Sequence, residues 1–467
     1  MRPEAGRALG LVALALLGAG CAPSGGGDVL LISIDTLRAD RLGLYGQTRP
    51  TTPEIDRFFA DAACYERAYA TAASTSPSVV SMLSGLVPQQ HGVRLLYQVL
   101  APQIPTLPDL LPKRYQTAAF VSNLVLTDEA IGLAARFDHY DDYVDRREPR
   151  RAVYERDAAR TTDAALRWLA AASDPTRPAF VWVHYIDPHG PYSPPTDWPR
   201  RFHSTSPREI DVDRVPAYQR EPGITDGNEY VARYDEEVRY VDRQVGRLLE
   251  GWARRRDLDA TLVILTADHG ESMMDHEQWF THGYHVYEEI VHIPLLVRGP
   301  GVVPGRRSTP VSIVDVAPTV LRFAGAEVPP QLPAVDLRDG AGLAPDRVVY
   351  AEGAGADAQW RAAVQGLRKW VMAVPKRDAR LPERRFYDLE VDPGELAPRP
   401  WDEGPGAGAS LAEQVARDPD PAGVPRHFQR GVALRAPKVA PGLPAETLER
   451  LEALGYVDGP AASEPPP

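Results

Sequence analysis

Four apolar runs punctuate the chain, and each closes on a polar side chain: DVLLISID, TAAFVSN, AFVWVHYID and TLVILTADHG. A run that is apolar at every position, not at alternate ones, is the pattern of a strand covered on both faces in a parallel sheet. Helical spacing lies between these runs. Val231, Tyr234, Val238, Val241, Val245, Leu248 and Trp252 recur at steps of three and four, which predicts one long amphipathic helix. Thr52, Pro53 and Glu54 supply a cap, a first-turn proline and a first-turn acid ahead of EIDRFFADA. Strands alternating with helices predict an α/β fold with a large, mostly parallel sheet sandwiched by helices. Ligands of such sheets gather at the carboxyl ends of the strands, so Asp35, Asn123, Asp187 and Asp268 are expected on one rim.

Beyond about residue 330 the pattern changes. RVVYAEG, WRAAVQG, KWVMAVP and RRFYDLE are short strand candidates between Pro- and Gly-rich joints, and they predict a smaller C-terminal antiparallel subdomain over 331–398. The main unit then occupies 28–330. Residues 399–467 read as an irregular tail, with PAETLERLEALGY as a short terminal helix. There is no tandem repeat.

At the other end, Arg2 and Arg7 precede LGLVALALLGAG, an apolar run too short to span a bilayer and of signal-peptide design. Export to a bacterial cell envelope follows. Cys21 ends this run as the cysteine of a lipobox does, although Gly18 stands where leucine is usual, and residues 1–27 are expected to be signal, acylated Cys21 and tether. Ordinary cleavage nearby is the alternative. The membrane would then be met only through the lipid, at a periplasmic or surface location. Cys64 is the one remaining cysteine, so no disulfide framework is available.

Composition narrows the function. With 467 residues, 43% of them apolar, the chain can bury a large core, and its net charge of −12 argues against a nucleic-acid partner. RREPRR at 146–151 reads as a solvated charged turn, with a grip for an anionic headgroup as the rival. Loops 140–160 and 195–228 are the expected carriers of specificity.

The chemistry concentrates in three motifs. STSPSVVSMLSG, residues 74–85, crowds hydroxyls before a proline expected at the first helical position, so Thr75 would lie at an anion-attracting helix start. Thr75 and Ser76 cannot both be the cap, which leaves one hydroxyl for a nucleophile or a metal ligand. TADHGE offers Asp268 and His269, and with Asp35 and Thr75 they make four ligands for one divalent cation. HYIDPHGPY and HEQWFTHGYHVYEE supply the histidines. Of these, His189 and His282 are assigned to ester oxygens or leaving-group protonation, His282 being favoured over His276 and His285 with a surface histidine as the alternative, and His184 is assigned to the interior or to a position behind the site. Asn123 is a further hydrogen-bond donor to substrate.

SIDTLRADRLGLYG, TSPSVVSMLSGLVPQQHGV, DPHGPY, TADHGE, VYEEIVHIPLLVRGPG, SIVDVAPTVLRFAG and FYDLEVDPGE occur in the order in which the sulfatase family carries them. The chain therefore resembles that family, within the alkaline phosphatase superfamily, over roughly 28–398. The resemblance implies the α/β core, the smaller sheet, a metal at the strand ends and chemistry on a sulfate or phosphate ester. It also has a gap. The formylglycine-forming cysteine or serine of Cys-x-Pro-Ser-Arg is Thr75, its arginine is Val79, the second aspartate of the usual pair is Thr36, and the usual asparagine after the later aspartate is His269. Fewer carboxylates and an imidazole suit Zn²⁺ or Mn²⁺, with Ca²⁺ or Mg²⁺ as alternatives. Asp35, Thr75, Asp268 and His269 look like the one-metal threonine sites of the superfamily's phosphoryl transferases and phosphodiesterases. Three functions compete: a threonine phosphoesterase or transferase, a true sulfatase on a glycan or aryl ester, and a catalytically silent surface lipoprotein that binds a glycan or an envelope partner.

Overall fold

The computed structural model describes residues 26–144, 155–355, 358–376, 382–401 and 406–418. Cys21, the signal segment, RREPRR and the 444–456 helix candidate lie outside them.

The four apolar runs form adjacent members of one eight-stranded sheet. Val29–Ile34 lies between Leu262–Ala267 and Ala179–Tyr185, with Gln116–Val121 beyond the latter, all parallel. Every residue of these four strands is buried, which is why none shows alternation. His139–Asp141 closes one edge in parallel. On the other side the antiparallel strand Leu295–Arg298 links Leu262–Ala267 to Ala63–Tyr65 and then Gly305–Arg307. Helix Ala158–Ala171 packs on Ala179–Tyr185 and Gln116–Val121 and meets the 27-residue helix Gly227–Ala253. Helix Val316–Phe323 packs on Leu262–Ala267. The long helix carries the expected apolar stripe, but it also buries Asp235, Glu236, Glu237 and Asp242.

The helix expected from Thr52 onward runs only from Pro53 to Phe58, and Thr52 does not cap it with its side chain. Thr52 Oγ1 bonds Asp56 instead, and the Glu54 and Ile55 amides donate to Asp242 of the long helix at 3.1 and 2.8 Å. A tertiary carboxylate has replaced the local cap.

The four short strands form an antiparallel meander, Val348–Ala354, Ala358–Gln365, Arg368–Pro375 and Glu383–Asp388. Its two faces alternate with period two. Ala362, Val364, Val371 and Tyr387 pack with Tyr69, Val286 and Ile290 of the main body, whereas Ala363, Trp370, Met372 and Phe386 point to the other side and pack with Leu411. That outer face corrects the expectation of an irregular tail: Gly408–Arg417 is a helix, and its Leu411 covers the rings of Trp370 and Phe386. Among the described residues no helix is long and apolar enough to cross a membrane.

Candidate active site

Parallel register builds the site. Ile34 pairs with Ala267 on one side and Tyr185 on the other, so Asp35 and Asp268 leave the sheet side by side. Thr36 then turns the chain at φ 53°, a conformation β-branched residues rarely adopt. Its amide lies 3.3 Å from Asp268 Oδ1.

Each carboxylate is half satisfied. Asp35 Oδ2 accepts the Asn123 side-chain amide at 2.6 Å and lies 3.4 Å from His184 Nε2, while Oδ1 has no hydrogen-bond partner. Asp268 Oδ1 accepts the His269 amide at 2.9 Å, and Oδ2 has no partner. His269 Nδ1 donates to the Gly270 carbonyl at 2.9 Å, which turns the Nε2 lone pair inward. That Nε2 is 3.2 Å from Thr75 Oγ1, 3.5 Å from Asp268 Oδ2 and 3.7 Å from Asp35 Oδ1. One donor atom from each of Asp35, Asp268 and His269 falls within 4.8 Å of the others, all fully buried. Orphaned acidic oxygens in a dry site are costly unless a cation meets them. The donor set of two carboxylates, an imidazole and a hydroxyl therefore fits a divalent ion.

Electrostatics agrees. Burial alone would raise Asp35, but the hydrogen bond from His184 and the surrounding histidines hold it far below the usual carboxylate range. Asp268 moves the other way, raised by burial and then by the charge of Asp35.

The hydroxyl-rich segment needs a correction. The helix begins at Thr75, not Pro77, which is its third residue; Ser74 is the N-cap residue and gives no side-chain cap. No hydroxyl serves as the cap. Thr75 faces His269, Ser76 donates to the Val125 carbonyl at 3.4 Å, and Ser78 donates to the Asp268 carbonyl at 2.6 Å. The last bond ties the helix to the strand end that carries Asp268.

Above Thr75 stand two histidines. His189 and His282 lie with ring centroids 5.0 Å apart, and His282 lies 4.6 Å from the His269 ring. Burial pushes His189 down to about 4, and its Nδ1 donates to the Gly190 carbonyl at 2.8 Å. His282 moves up: burial opposes its charge most strongly, but Glu271, 3.1 Å from its Nδ1, and the charges of Asp35 and Asp268 together outweigh burial. The motif TADHGE contains Glu271, yet its sequence alone gives that residue no role. Glu271 also accepts from Tyr192 Oη at 3.0 Å and from Gln219 at 3.4 Å. Tyr218 stacks against His189, so the 195–228 loop does reach the site.

Other expectations fall differently. Asn123 Nδ2 donates to Asp35 Oδ2, and Oδ1 accepts the Val125 amide at 3.0 Å, so its amide orients a carboxylate of the site. Asp187 leaves the ligand rim to accept the Ala158 amide at 2.8 Å, at the start of a helix. His184 is interior, held between Ser33 Oγ at 2.8 Å and Asp35. His276 stacks on Tyr287 and His285 packs on Trp360, both away from Thr75.

Comparison with known proteins gives one consistent result. The family model described as Sulfatase matches residues 27–326. An arylsulfatase of Clostridium perfringens is 24% identical over 452 residues, covering 79% of this chain and 89% of that protein. A choline-sulfatase of Rhizobium meliloti is 28% identical over 246 residues, 47% of this chain and less than half, 46%, of its own length. The solved phosphonate monoester hydrolase of Agrobacterium radiobacter superposes with a TM-score of 0.64 at 19% identity, over 84% of this chain and 93% of that one. With the motif order, the mixed sheet and the separate antiparallel sheet, these matches show that the chain belongs to the sulfatase family, with the alkaline phosphatase-like fold and an ester hydrolase's activity.

Proposed function

We propose that the protein hydrolyses or transfers a phosphate ester through Thr75, with sulfate esters as the less favoured substrates. The observation that carries this reading is the 3.2 Å approach of Thr75 Oγ1 to His269 Nε2, beside two carboxylate oxygens without donors. A threonine cannot follow the formylglycine route of the family, and Val79, where that route uses arginine, is fully buried. A divalent cation held by Asp35, Asp268, His269 and the Thr75 hydroxyl would lower the hydroxyl's pKa and offset charge on the ester oxygens.

The residues divide the remaining work. Thr75 Oγ1, ionised by release of its proton to solvent, attacks phosphorus in line, forming an O–P bond as the bond to the leaving oxygen breaks. His282, kept protonated by Glu271, gives its proton to that oxygen. His189 is neutral and carries its proton on Nδ1, so its Nε2 can take a proton from the water or acceptor alcohol that then displaces Thr75. The helix beginning at Thr75 turns its first amides toward the phosphoryl oxygens.

The substrate is a small-molecule, glycan or lipid-headgroup ester met at the cell envelope, and Cys21 carries the lipid anchor. The true-sulfatase reading is kept because both curated relatives bear sulfatase names. Turnover of aryl phosphate monoesters, phosphodiesters and aryl sulfates, with Mn²⁺, Zn²⁺ or Ca²⁺ supplied, separates the two. Thr75→Ala should lose at least about a thousandfold in kcat while remaining folded, and the mass of the wild-type peptide containing Thr75 should show a covalent phosphate on rapid quenching. Substantial turnover by Thr75→Ala would exclude Thr75 as nucleophile.

A further inference from the structure

Behind the hairpin that carries His282 lies a second group of donors that catalysis does not use. His276, Glu289 and Glu395 each place one donor atom within 4.8 Å of the others. His276 Nε2 and a Glu289 oxygen are 3.8 Å apart; two donors on one Zn²⁺, at bonds of about 2.1 Å and tetrahedral angles, stand roughly 3.4 Å apart. His276 and Glu289 line a cavity of about 330 Å³ with Arg38, Asp275 and Gly394.

Neighbouring cations are already committed. Arg38 pairs with Asp40 and Asp275 at 2.8 and 2.6 Å; Lys369 pairs with Glu288 at 2.9 Å and with Glu395 Oε1 at 3.0 Å, and Glu395 Oε2 accepts the Glu288 amide at 2.6 Å, so Glu395 would be shared between an ion and these partners. Among the described residues the one ion-pair contact of Glu289 is His276. Its side chain is only 7% exposed, yet its Oε1 is buried with no hydrogen-bond partner. A carboxylate oxygen in that position either keeps a proton or meets a cation. Met274, His276 and Glu277 all adopt positive φ, at 73°, 48° and 58°, and the His276 ring lies flat on Tyr287 with centroids 3.6 Å apart.

We propose that His276, Glu289 and Glu395 bind a second divalent cation, Zn²⁺ or Mn²⁺, independent of the ion at Thr75. The site joins three separate segments: the hairpin of Ser272–Met273 and Trp279–Thr281, the turn of helix Glu288–Val291, and the Glu395 loop of the small sheet. Glu289 also receives the Glu271 amide on its carbonyl at 3.1 Å, so an ion there would brace the segment that holds Glu271 and His282.

Equilibrium dialysis of the full chain against Mn²⁺, with elemental analysis, tests the proposal. The wild type should hold two equivalents, Glu289→Gln one, Asp268→Asn one, and the double variant none. His276→Gln provides a second variant should Glu289→Gln fold poorly by circular dichroism. A wild type with a single equivalent that is lost in Asp268→Asn and kept in Glu289→Gln would overturn the second site, as would a wild type that holds none. A single equivalent lost in Glu289→Gln and kept in Asp268→Asn would uphold the second site while refuting the metal at Thr75.

Discussion

Glu271 Oε1 lies 3.1 Å from His282 Nδ1, and this contact helps to push two neighbouring histidines, with rings 5.0 Å apart, in opposite directions. Burial holds His189 down to about 4; at His282 burial is also the largest single influence, but the charge and hydrogen bond of Glu271, with the charges of Asp35 and Asp268, together raise it above the ordinary imidazole value. Paired groups pushed apart in this way are how one site supplies both an acid and a base. Glu271→Gln removes the charge and keeps the shape. The pKa of His282 should fall, so the alkaline limb of the kcat/KM profile should move to lower pH by about one pH unit. Esters with poor leaving groups should lose about 10²- to 10⁴-fold, and those with good leaving groups far less. An unmoved alkaline limb would show that His282 is not the acid.

Asn123→Ala tests the division between holding the metal and holding the substrate. Its amide orients Asp35 from 2.6 Å, and loss of such an outer-shell partner costs about 10- to 100-fold in metal affinity. Activity titrated with Mn²⁺ should need correspondingly more metal, with kcat recovering near wild type at saturation. A fall in kcat at unchanged metal affinity would return Asn123 to the substrate.

Much of this site is legible in the sequence because parallel strands announce themselves by unbroken apolar runs, and the residue after each run is placed by register. Asp35 and Asp268 follow directly from Ile34 opposite Ala267. What the sequence hides depends on partners distant along the chain. Asn123 is a polar strand-end residue like the others, and nothing local reveals that Asp35, 88 positions away, takes its amide. The helix starts at Thr75, two residues before the proline that favours an early position, because an amide at the third position would equally find no intrahelical acceptor. The helix Gly408–Arg417 exists because the outer face of the small sheet needs cover, a demand made by Trp370 and Phe386 and not by the tail's own composition.

A buried charge network joins the small sheet to the main body. Arg94 pairs with Glu352 at 3.1 Å and also with Asp418, while Arg361 pairs with Asp418 at 2.9 Å and also with Glu352. Their side chains are all at most 4% exposed. Removing one member leaves uncompensated charge in a dry site, which costs about 3–5 kcal/mol. Arg361→Ala should lose that much in urea unfolding, and Glu352→Gln added to it should recover part of the loss. Strict additivity of the two variants would show that the charges are not coupled.

Asp242 makes the stability of the fold depend on pH in an unusual direction. Its carboxylate accepts the Ile55 and Glu54 amides at 2.8 and 3.1 Å, the role expected of Thr52. Burial raises its pKa from 3.8 to about 7, against the pull of those amides and aided by the charges of Glu54 and Asp56. A carboxyl raised on folding binds its proton more tightly in the native state. Its contribution is therefore full below pH 4 and is lost as the pH rises toward 7, each step of one pH unit in that window removing about 1.4 kcal/mol. Asp242→Asn cannot ionise and keeps an amide oxygen to accept the Ile55 N–H. The variant should be less stable than, or equal to, wild type at pH 4 and more stable by a few kcal/mol at pH 8, as read from urea midpoints across that range. Parallel pH curves for the two proteins would mean that Asp242 is ionised throughout, with the amides outweighing burial.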